Sequence, residues 1–329
     1  MRESKMDNIR FVLIFFVALG HFFEVSASET LKNATEFIYS FHMPVFVFVS
    51  GYFAKFNPKR IVRTYFYCGI LMQILYYFFY KYYIGNQTMI FQCSIPNYTL
   101  WYLFAMAFYT MIIPLIDTEG LGRRIAITAV CFAISMIAGT DPGVGYPFAS
   151  GRFFAFLPFF VLGYYCRKGA VTEKLSKLSL RLKILGGAVL AAAVAVFEMY
   201  IIKNPYIEFI DMTYSFHYDQ TLIGWKARAI LLAGGILWVA FFLVATPNKK
   251  IPLVSAVGAN TFPIYIFHGF LVKILIECGL IDLSVMVYAP VAAALSLVFL
   301  LVFGNKIAST VAKWGFTGHW LSLFDKKVN

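Results

Sequence analysis

Long apolar runs alternate with short polar connections along the whole chain. Each run has roughly 17 to 25 residues, the length that an α-helix needs to cross about 30 Å of hydrocarbon. We predict ten such spans, which start near Ile9, Phe37, Ile61, Leu100, Ile125, Phe153, Leu182, Ala227, Ala259 and Val285. The pattern therefore predicts an all-α polytopic integral membrane protein with about ten transmembrane helices.

The connections between the runs are too short to bury a core of their own. We therefore expect residues 1–329 to form a single membrane domain without an appended soluble domain. The first run resembles a secretory signal, because a basic amino terminus precedes it and the small-residue triplet VSA follows it. His21 within the run, Glu24 at its end and the nine further spans favour an uncleaved anchor.

The composition agrees with membrane insertion. Hydrophobic residues make up 60% of the chain and charged residues only 13%, whereas soluble proteins average about 25% charged residues. Most of the 28 Lys and Arg residues fall in connections on the side of the two termini, and cytoplasmic loops are the ones that carry such an excess. Both termini are therefore expected in the cytoplasm, and the cell (cytoplasmic) membrane is the predicted location.

The net charge of +12 also comes from the excess of Lys and Arg in the connections between spans. The cations sit in short loops beside apolar spans rather than on one face of a folded domain, so we expect the lipid bilayer, and no nucleic acid, as a partner. The five cysteines are an odd number and several fall inside spans, so no disulfide framework follows. The sequence contains neither an HExxH nor a paired CxxC motif, and we predict no metal.

Ionisable residues inside spans are costly and mark functional positions. Arg10 and His21 are eleven residues apart in the first span, which at 100° per residue is only about 20° beyond three turns. Both side chains therefore lie on one helix face, about 16 Å apart along the axis. We predict that Arg10 stands at the cytoplasmic edge and that His21 lies deep in the bilayer.

The second span carries another imidazole, His42, in the stretch YSFHMPVFVFVSGYF. Because this span descends from the outer side, the helical rise places His42 roughly 8 Å below the outer edge and level with His21. Consecutive antiparallel helices can bring two such rings together. The alternative for each histidine is a hydrogen-bonded packing residue, and the common level argues against it.

Arg60 and Arg63 share one face at the start of the third span, at the i, i+3 spacing. Paired guanidinium groups recognise phosphate oxygens better than lysine does, and Arg10 at the same level enlarges the patch. The alternative is ordinary positive-inside charge. A basic cytoplasmic mouth below a deep histidine suggests an anionic cytosolic ligand with a long arm that reaches upward.

Further polar residues lie in or beside later spans. His268 follows Tyr265 by one turn in NTFPIYIFHGF, and it either pairs with a neighbouring helix or contributes to a site. Arg152 lies near an outer end, where it binds a polar acceptor or meets water.

The sequence also predicts the surroundings of three further charged residues. Glu198 lies near an outer end and is expected to face solvent. Lys273 and Glu277 are predicted to pair with each other, because they are spaced i, i+4 on one helix.

Several stretches together resemble the membrane-bound acyltransferase family 3. DNIRFVLIFFVALGH, KRIVR, LWYLFAM, RFFAFLPFFVLGYY and FPIYIFH occur in the order and spacing of that family, and FIYSFHMPVFVFVSGYF is most similar to its fucose 4-O-acetylase-like branch. The resemblance covers nearly the whole chain. Its most specific element is a combination of two patterns. In the first span an Arg is followed, after ten intervening residues, by a His, and the third span begins with the pattern RxxR. Phe11 stands where the family usually has glycine.

The resemblance implies a transmembrane O-acyltransferase. Such an enzyme moves an acyl group, by default acetyl, from cytosolic acyl-CoA to a hydroxyl of an extracytoplasmic cell-envelope sugar or polysaccharide. The residues assigned to the site are the catalytic candidates His21 and His42, the acyl-CoA-binding candidates Arg10, Arg60 and Arg63, and the substrate-binding candidates Arg152, Trp101 and His268.

In the predicted mechanism, neutral His21 is the general base that takes the proton of the acceptor hydroxyl, and that oxygen attacks the thioester. His42 or Tyr265 is expected to donate a hydrogen bond to the resulting oxyanion. The alternative function is a membrane transporter or flippase for a glycan or organic acid, since intramembrane histidines and arginines also line transport paths. A non-catalytic membrane scaffold is a third interpretation, and the aligned Arg10 and His21 argue against it.

Overall fold

The computed structural model describes residues 4–141, 143–145, 147–203 and 221–318. Over these ranges the chain forms α-helices, short 3₁₀ and π-helical turns and connecting loops, without a strand. The all-α prediction is therefore confirmed.

Fifteen α-helices follow one another in the described residues. The first eight are α1 (Ser4–Glu24), α2 (Glu29–Phe53), α3 (Pro58–Arg60), α4 (Tyr67–Phe78), α5 (Trp101–Met111), α6 (Ile113–Ile116), α7 (Leu121–Ala138) and α8 (Ser150–Lys168). The others are α9 (Val171–Ser176), α10 (Leu180–Ile202), α11 (Thr221–Ala245), α12 (Pro252–Ala259), α13 (Phe262–Glu277), α14 (Val285–Phe303) and α15 (Lys306–Phe316). Two π-helical turns, Ile61–Phe66 and Phe79–Tyr83, flank α4.

Six helical segments in the described ranges are long and apolar enough to cross a membrane. They are α1, α7, α10, α11, α14 and the segment Pro147–Lys168 that contains α8. A seventh candidate is the pair α12 and α13, which is bent by 79° at its junction. The remaining apolar runs are interrupted, as between α3 and α4 and between α5 and α6, or carry polar side chains, as in α2. The count of ten spans and the sides of the termini stay predictions.

α1 lies at the centre of the helical bundle, where it packs against α2, α12, α13 and α14. The side-chain amide of Asn8 fixes its first turns, because it donates to the carbonyl of Lys249 at 2.9 Å and accepts from the hydroxyl of Ser255 at 2.7 Å. At the other end, the Tyr288 hydroxyl donates to the carbonyl of Phe22 at 2.5 Å. α1 is thus held at both ends. We name the two ends of the bundle after residues of α1, as the Arg10 end and the Glu24 end.

α2 and α8 pack closely because glycines lie at their contact. A Cβ at Gly51 would overlap the carbonyl oxygen of Phe160, and a Cβ at Gly163 would overlap that of Phe48. Small residues let two helices approach backbone to backbone within a membrane. This contact fixes α2 against the rest of the bundle.

Glu198 of α10 is buried, with only 6% of its surface exposed, so the expectation that it faces solvent is wrong. Its carboxylate accepts hydrogen bonds from the Ser40 hydroxyl at 2.6 Å and from the Trp238 indole at 2.8 Å. A buried carboxylate needs partners of this kind. The two bonds join α10 to α2 and to α11.

Candidate active site

A narrow cavity of about 20 Å³ lies between α1, α2, α5 and α13. Its walls include His21 of α1, Trp101 and Tyr102 of α5, and Tyr265 and His268 of α13. We call it the histidine cavity. Its volume holds about one water molecule. The structure thus brings together residues that are far apart in the sequence.

A carboxylate on the same helix orients His21. The Nδ1 atom of His21 lies 2.8 Å from Oε2 of Glu24, and this oxygen also accepts a hydrogen bond from the Tyr39 hydroxyl at 2.9 Å. Because an ionised carboxylate only accepts hydrogen bonds, Nδ1 carries the proton and Nε2 keeps its lone pair. A base whose ring is oriented by a third group is the usual arrangement at sites of acyl transfer.

Glu24 is a candidate functional residue that is not identified from the sequence. There it only marks the end of the first apolar run. It follows His21 by three positions, a spacing that brings two side chains together on a helix, and this spacing is the signal that identifies it. The Glu24 side chain is 42% exposed at the end of α1, and from there it reaches back to the imidazole.

His268 is the second imidazole of the histidine cavity, and only 1% of its surface is exposed. Its ring centroid lies 5.3 Å from that of His21. Its Nδ1 lies 2.6 Å from the carbonyl oxygen of Tyr265, and Nδ1 is therefore the protonated nitrogen. Nε2 keeps a lone pair and has no hydrogen-bond partner among the described residues. Buried acceptors are normally paired, so Nε2 is suited to a donor on a bound substrate.

His42 is not among the described residues that line the histidine cavity. It is buried, its Nδ1 lies 2.9 Å from the carbonyl oxygen of Ile38, and its ring packs 4.8 Å from the Tyr39 ring. Tyr39 in turn lies 6.0 Å from the His21 ring. The imidazole that the structure pairs with His21 is thus His268, and Tyr39 connects His42 to this pair. A catalytic role of His42 stays a prediction.

The expected oxyanion donors are already engaged in hydrogen bonds. The Tyr265 hydroxyl donates to the carbonyl of Thr99 at 2.8 Å. The N–H of neutral His42 donates to the carbonyl oxygen of Ile38. The other ring nitrogen of a neutral imidazole has no proton to donate. The assignment of Tyr265 or His42 as oxyanion donor therefore does not agree with this geometry. Nε2 of His21 gains an N–H only once it has taken a proton.

The face of α1 that carries His21 continues toward Arg10. Ile14 and Val17 lie between them at helical spacing, and both line the histidine cavity. The Arg10 guanidinium lies over the ring of Phe53, 4.4 Å from its centroid. This face, called below the stripe of α1, thus carries the cation Arg10 at one end and the imidazole of His21 near the other.

Arg60 and Arg63 begin the interrupted third run, at the Arg10 end. The guanidinium of Arg60, an exposed residue, lies 5.8 Å from the ring centroid of Tyr65. Arg10 and Arg60 both act electrostatically on Tyr65 and on Tyr102. Because Tyr102 lines the histidine cavity, both arginines are within electrostatic range of one wall of that cavity. Arg63 lies in the π-helical turn that follows Arg60.

Arg152 and Trp101 meet at the Glu24 end. The guanidinium of Arg152 lies over the indole ring of Trp101, 5.1 Å from its centroid, and Trp101 lines the histidine cavity. Arg152 and Glu24 both act electrostatically on His42. Trp101 thus shares the histidine cavity with His21, and Arg152 lies against Trp101.

Tyr98 closes the Glu24 end of the site. Its ring centroid lies 5.0 Å from that of His21, and the Nζ of Lys273 lies over it at 4.8 Å, although the spacing predicts that Lys273 pairs with Glu277. The φ angle of Tyr98 is 46°, in the left-handed region, which costs a non-glycine residue on the order of 1–3 kcal/mol. Strain of this kind persists only where the surroundings hold the backbone in place.

In the described ranges, no group of three or more His, Cys, Asp or Glu side chains is arranged to hold a metal ion. That the protein uses no metal stays a prediction.

The sequence matches the acyltransferase 3 family, described as an acyltransferase domain, over residues 3–305. This match covers nearly the whole chain. The protein belongs to acyltransferase family 3. Family membership supports acyl transfer as its activity, and together with the six apolar helices it indicates a multi-pass membrane protein. No curated protein and no solved structure matches the sequence significantly.

For an acyltransferase of family 3, the histidine cavity is a candidate active site. Its oriented imidazole, His21, is a candidate base. The same helix face leads from that base to a cation, Arg10, at the opposite end.

Proposed function

We propose that this acyltransferase of family 3 transfers an acetyl group from cytosolic acetyl-CoA to a hydroxyl of an extracytoplasmic cell-envelope polysaccharide. The observation that carries the proposal is the Glu24–His21 pair at one end of the histidine cavity, with Arg10 on the same helix face at the other end. The resemblance of FIYSFHMPVFVFVSGYF supports the fucose 4-O-acetylase-like branch. In this proposal the Arg10 end faces the cytoplasm.

His21 serves first as base and then as acid. Its Nε2 takes the proton of the acceptor hydroxyl as that oxygen attacks the thioester carbonyl carbon. The imidazolium formed is stabilised by the carboxylate of Glu24, 2.8 Å from Nδ1. Its new Nε2–H is the donor next to the developing oxyanion. When the carbon–sulfur bond breaks, this proton passes to the thiolate of CoA, which leaves the acyl ester and free CoA.

The donor binds from the Arg10 end. The guanidinium groups of Arg10, Arg60 and Arg63 attract its phosphates, and its pantetheine arm follows the stripe of α1 between Arg10 and His21. At about 20 Å³ the histidine cavity is too narrow for that arm. Donor binding must therefore displace side chains that line it, among which Met43 is the most adaptable.

The acceptor enters at the Glu24 end. The aromatic faces of Trp101 and Tyr98 offer the apolar surface on which a sugar ring packs. Arg152, which lies over Trp101, offers donors to sugar hydroxyls. Nε2 of His268 accepts a hydrogen bond from a donor on either substrate.

The proposal is tested with the full chain purified in lipid nanodiscs. Release of free CoA thiol from acetyl-CoA is measured with and without neutral glycan acceptors, and the products are examined by mass spectrometry for one added acetyl ester. We expect release that depends on the acceptor and on His21, with the His21→Ala variant folded and inserted. Acceptor flux into liposomes without any CoA release would support a transporter or flippase instead.

A further inference from the structure

A second cavity, of about 320 Å³, lies at the Glu24 end, outside the histidine cavity. It is formed by α4 and by the loop that leads from the π-helical turn Phe79–Tyr83 to Tyr98. The eight described residues that line it are all uncharged, and five of them are polar, namely Gln73, Asn86, Thr88, Gln92 and Asn97. We call it the amide pocket. Its volume is in the usual range for ligand pockets, about 300–1,000 Å³.

Gln73 builds the wall of the amide pocket and is itself only 1% exposed. Its Nε2 donates to the carbonyls of Gln92 and Ile95, both at 2.6 Å, and its Oε1 accepts from the backbone N–H of Asn97 at 2.8 Å. A single buried side chain of α4 thus fixes both ends of the segment from residue 92 to residue 97. This part of the loop that forms the pocket is therefore anchored to α4.

The amide pocket and the histidine cavity share one stretch of chain. Asn97 lines the amide pocket, Thr99 lines the histidine cavity, and Tyr98 between them packs on His21. Two residues of chain span at most about 7 Å. A ligand in the amide pocket is therefore separated from the acetyl-transfer site by little more than the ring of Tyr98.

The chemistry of the lining indicates the ligand class. The Gln73 amide is engaged by the loop backbone, whereas the side-chain amides of Gln92 and Asn97 each carry a carbonyl acceptor and two N–H donors, which matches the paired donor and acceptor character of sugar hydroxyls. Oδ1 of Asn86 is occupied by the backbone N–H and the hydroxyl of Thr88, so the NH₂ group of Asn86 remains as a donor. A pocket for an acidic ligand would instead need cations.

We propose that the amide pocket binds a neutral sugar unit of the acceptor glycan, adjacent to the unit that receives the acetyl group. This inference rests on the proposed function, because it gives the acceptor an extended subsite. It makes the enzyme selective for glycans of at least two units over single sugars. It also selects neutral sugars over uronic acids in the second position.

Cys93 allows binding to be measured without catalysis. It is exposed and adjacent to Gln92, and Cys278 is the other exposed cysteine. In a Cys278→Ser protein in nanodiscs, an environment-sensitive fluorophore on Cys93 is titrated with malto-, cello- and xylo-oligosaccharides of one to four units, and with oligogalacturonates. We expect saturable binding of at least one neutral series, with tighter binding for two units than for one.

Pocket variants and a matched control complete the test. Gln92→Leu and Asn97→Leu should weaken oligosaccharide binding about five- to tenfold, as expected for the loss of one or two hydrogen bonds, and raise the KM for the oligosaccharide but not for a single sugar. Gln87→Leu, an exposed amide of the same loop that does not line the pocket, should change neither quantity.

The outcomes separate the two proposals. Binding without any acetyl transfer would overturn the proposed function and leave the amide pocket standing as a sugar site. The inference is overturned if no neutral oligosaccharide changes the fluorescence, if oligogalacturonates bind equally well, or if Gln87→Leu has the same effect as Gln92→Leu.

Discussion

The Nδ1 atom of His21 lies 2.8 Å from Oε2 of Glu24, three residues further along the same helix. This single contact decides which nitrogen of the imidazole is basic, because the carboxylate takes the Nδ1–H and leaves Nε2 with its lone pair. It also places a negative charge beside the imidazolium that forms during proton transfer. A histidine and a glutamate one helical turn apart thus form an oriented pair, which the Tyr39 hydroxyl of α2 supports by donating to the same carboxylate oxygen at 2.9 Å.

Replacing Glu24 by glutamine tests the role of this charge. Glu24→Gln keeps the size of the side chain but removes the charge that stabilises the imidazolium, and acetyl transfer should fall about 100-fold. Steady-state release of CoA thiol measures the effect. Glu29→Gln, an exposed carboxylate at the start of α2, is the matched control and should stay within about twofold of the parent. Equal activity of Glu24→Gln and the parent would contradict the assignment.

The two imidazoles of the cavity have different predicted roles. His268→Ala removes an acceptor of a substrate hydrogen bond, so the KM of one substrate should rise about tenfold while turnover at saturation persists. His21→Ala should abolish turnover. Kinetics with each substrate varied in turn distinguish the two variants. A His268→Ala protein as inactive as His21→Ala would contradict a role of His268 in substrate binding alone.

Arg60 is predicted to bind a phosphate group of the donor. Arg60→Ala should raise the KM for acetyl-CoA about tenfold or more, since a charged hydrogen bond is lost, and Arg60→Lys should recover only part of this. With acetyl-pantetheine, which has no phosphate, the variant and the parent should behave alike. Arg123→Ala, a change in the first turn of α7, is the control. An equal loss with both donors would show that Arg60 does not recognise phosphate.

We predict that a side chain introduced at a glycine of the α2–α8 contact destabilises the protein. Gly163→Val forces a side chain against the carbonyl oxygen of Phe48 and should lower the free energy of unfolding by about 1–3 kcal/mol. Thermal unfolding in detergent measures this. Gly122→Ala in α7, where an added Cβ meets nothing within 4 Å, should not lower the melting temperature, because alanine favours the helix over glycine. A Gly163→Val protein as stable as the parent would contradict the close packing.

The sequence predicts those parts of the site that depend on one helix. The spacing of Arg10 and His21 follows from 3.6 residues per turn alone, and the all-α architecture follows from the apolar runs. The spacing of His21 and Glu24 has the same local origin, so this pair was predictable as well. Two of the apolar runs are interrupted helices, because a π-helical turn breaks one and the turn residue Ile112 breaks the other, where hydropathy alone shows continuity.

Contacts between helices could not be predicted in the same way. The choice of His268 rather than His42 as the neighbour of His21 depends on how α13 packs against α1. The burial of Glu198 depends on Ser40 and Trp238, which come from two other helices. The engagement of the Tyr265 hydroxyl by Thr99 depends on the 3₁₀ turn Tyr98–Leu100 that precedes α5. The depth of a residue along its own helix does not determine which faces of neighbouring helices pack together.

The central claim is that His21 acts as the base for the transfer of an acetyl group from a donor in one compartment to an acceptor in the other. The most direct measurement uses oriented proteoliposomes with acetyl-CoA only on the side of the Arg10 end and a neutral oligosaccharide only on the side of the Glu24 end. We predict free CoA on the first side and O-acetylated oligosaccharide on the second, both lost in the His21→Ala protein. Acetylated product formed equally by His21→Ala, or formed only when both substrates share one side, would contradict the account.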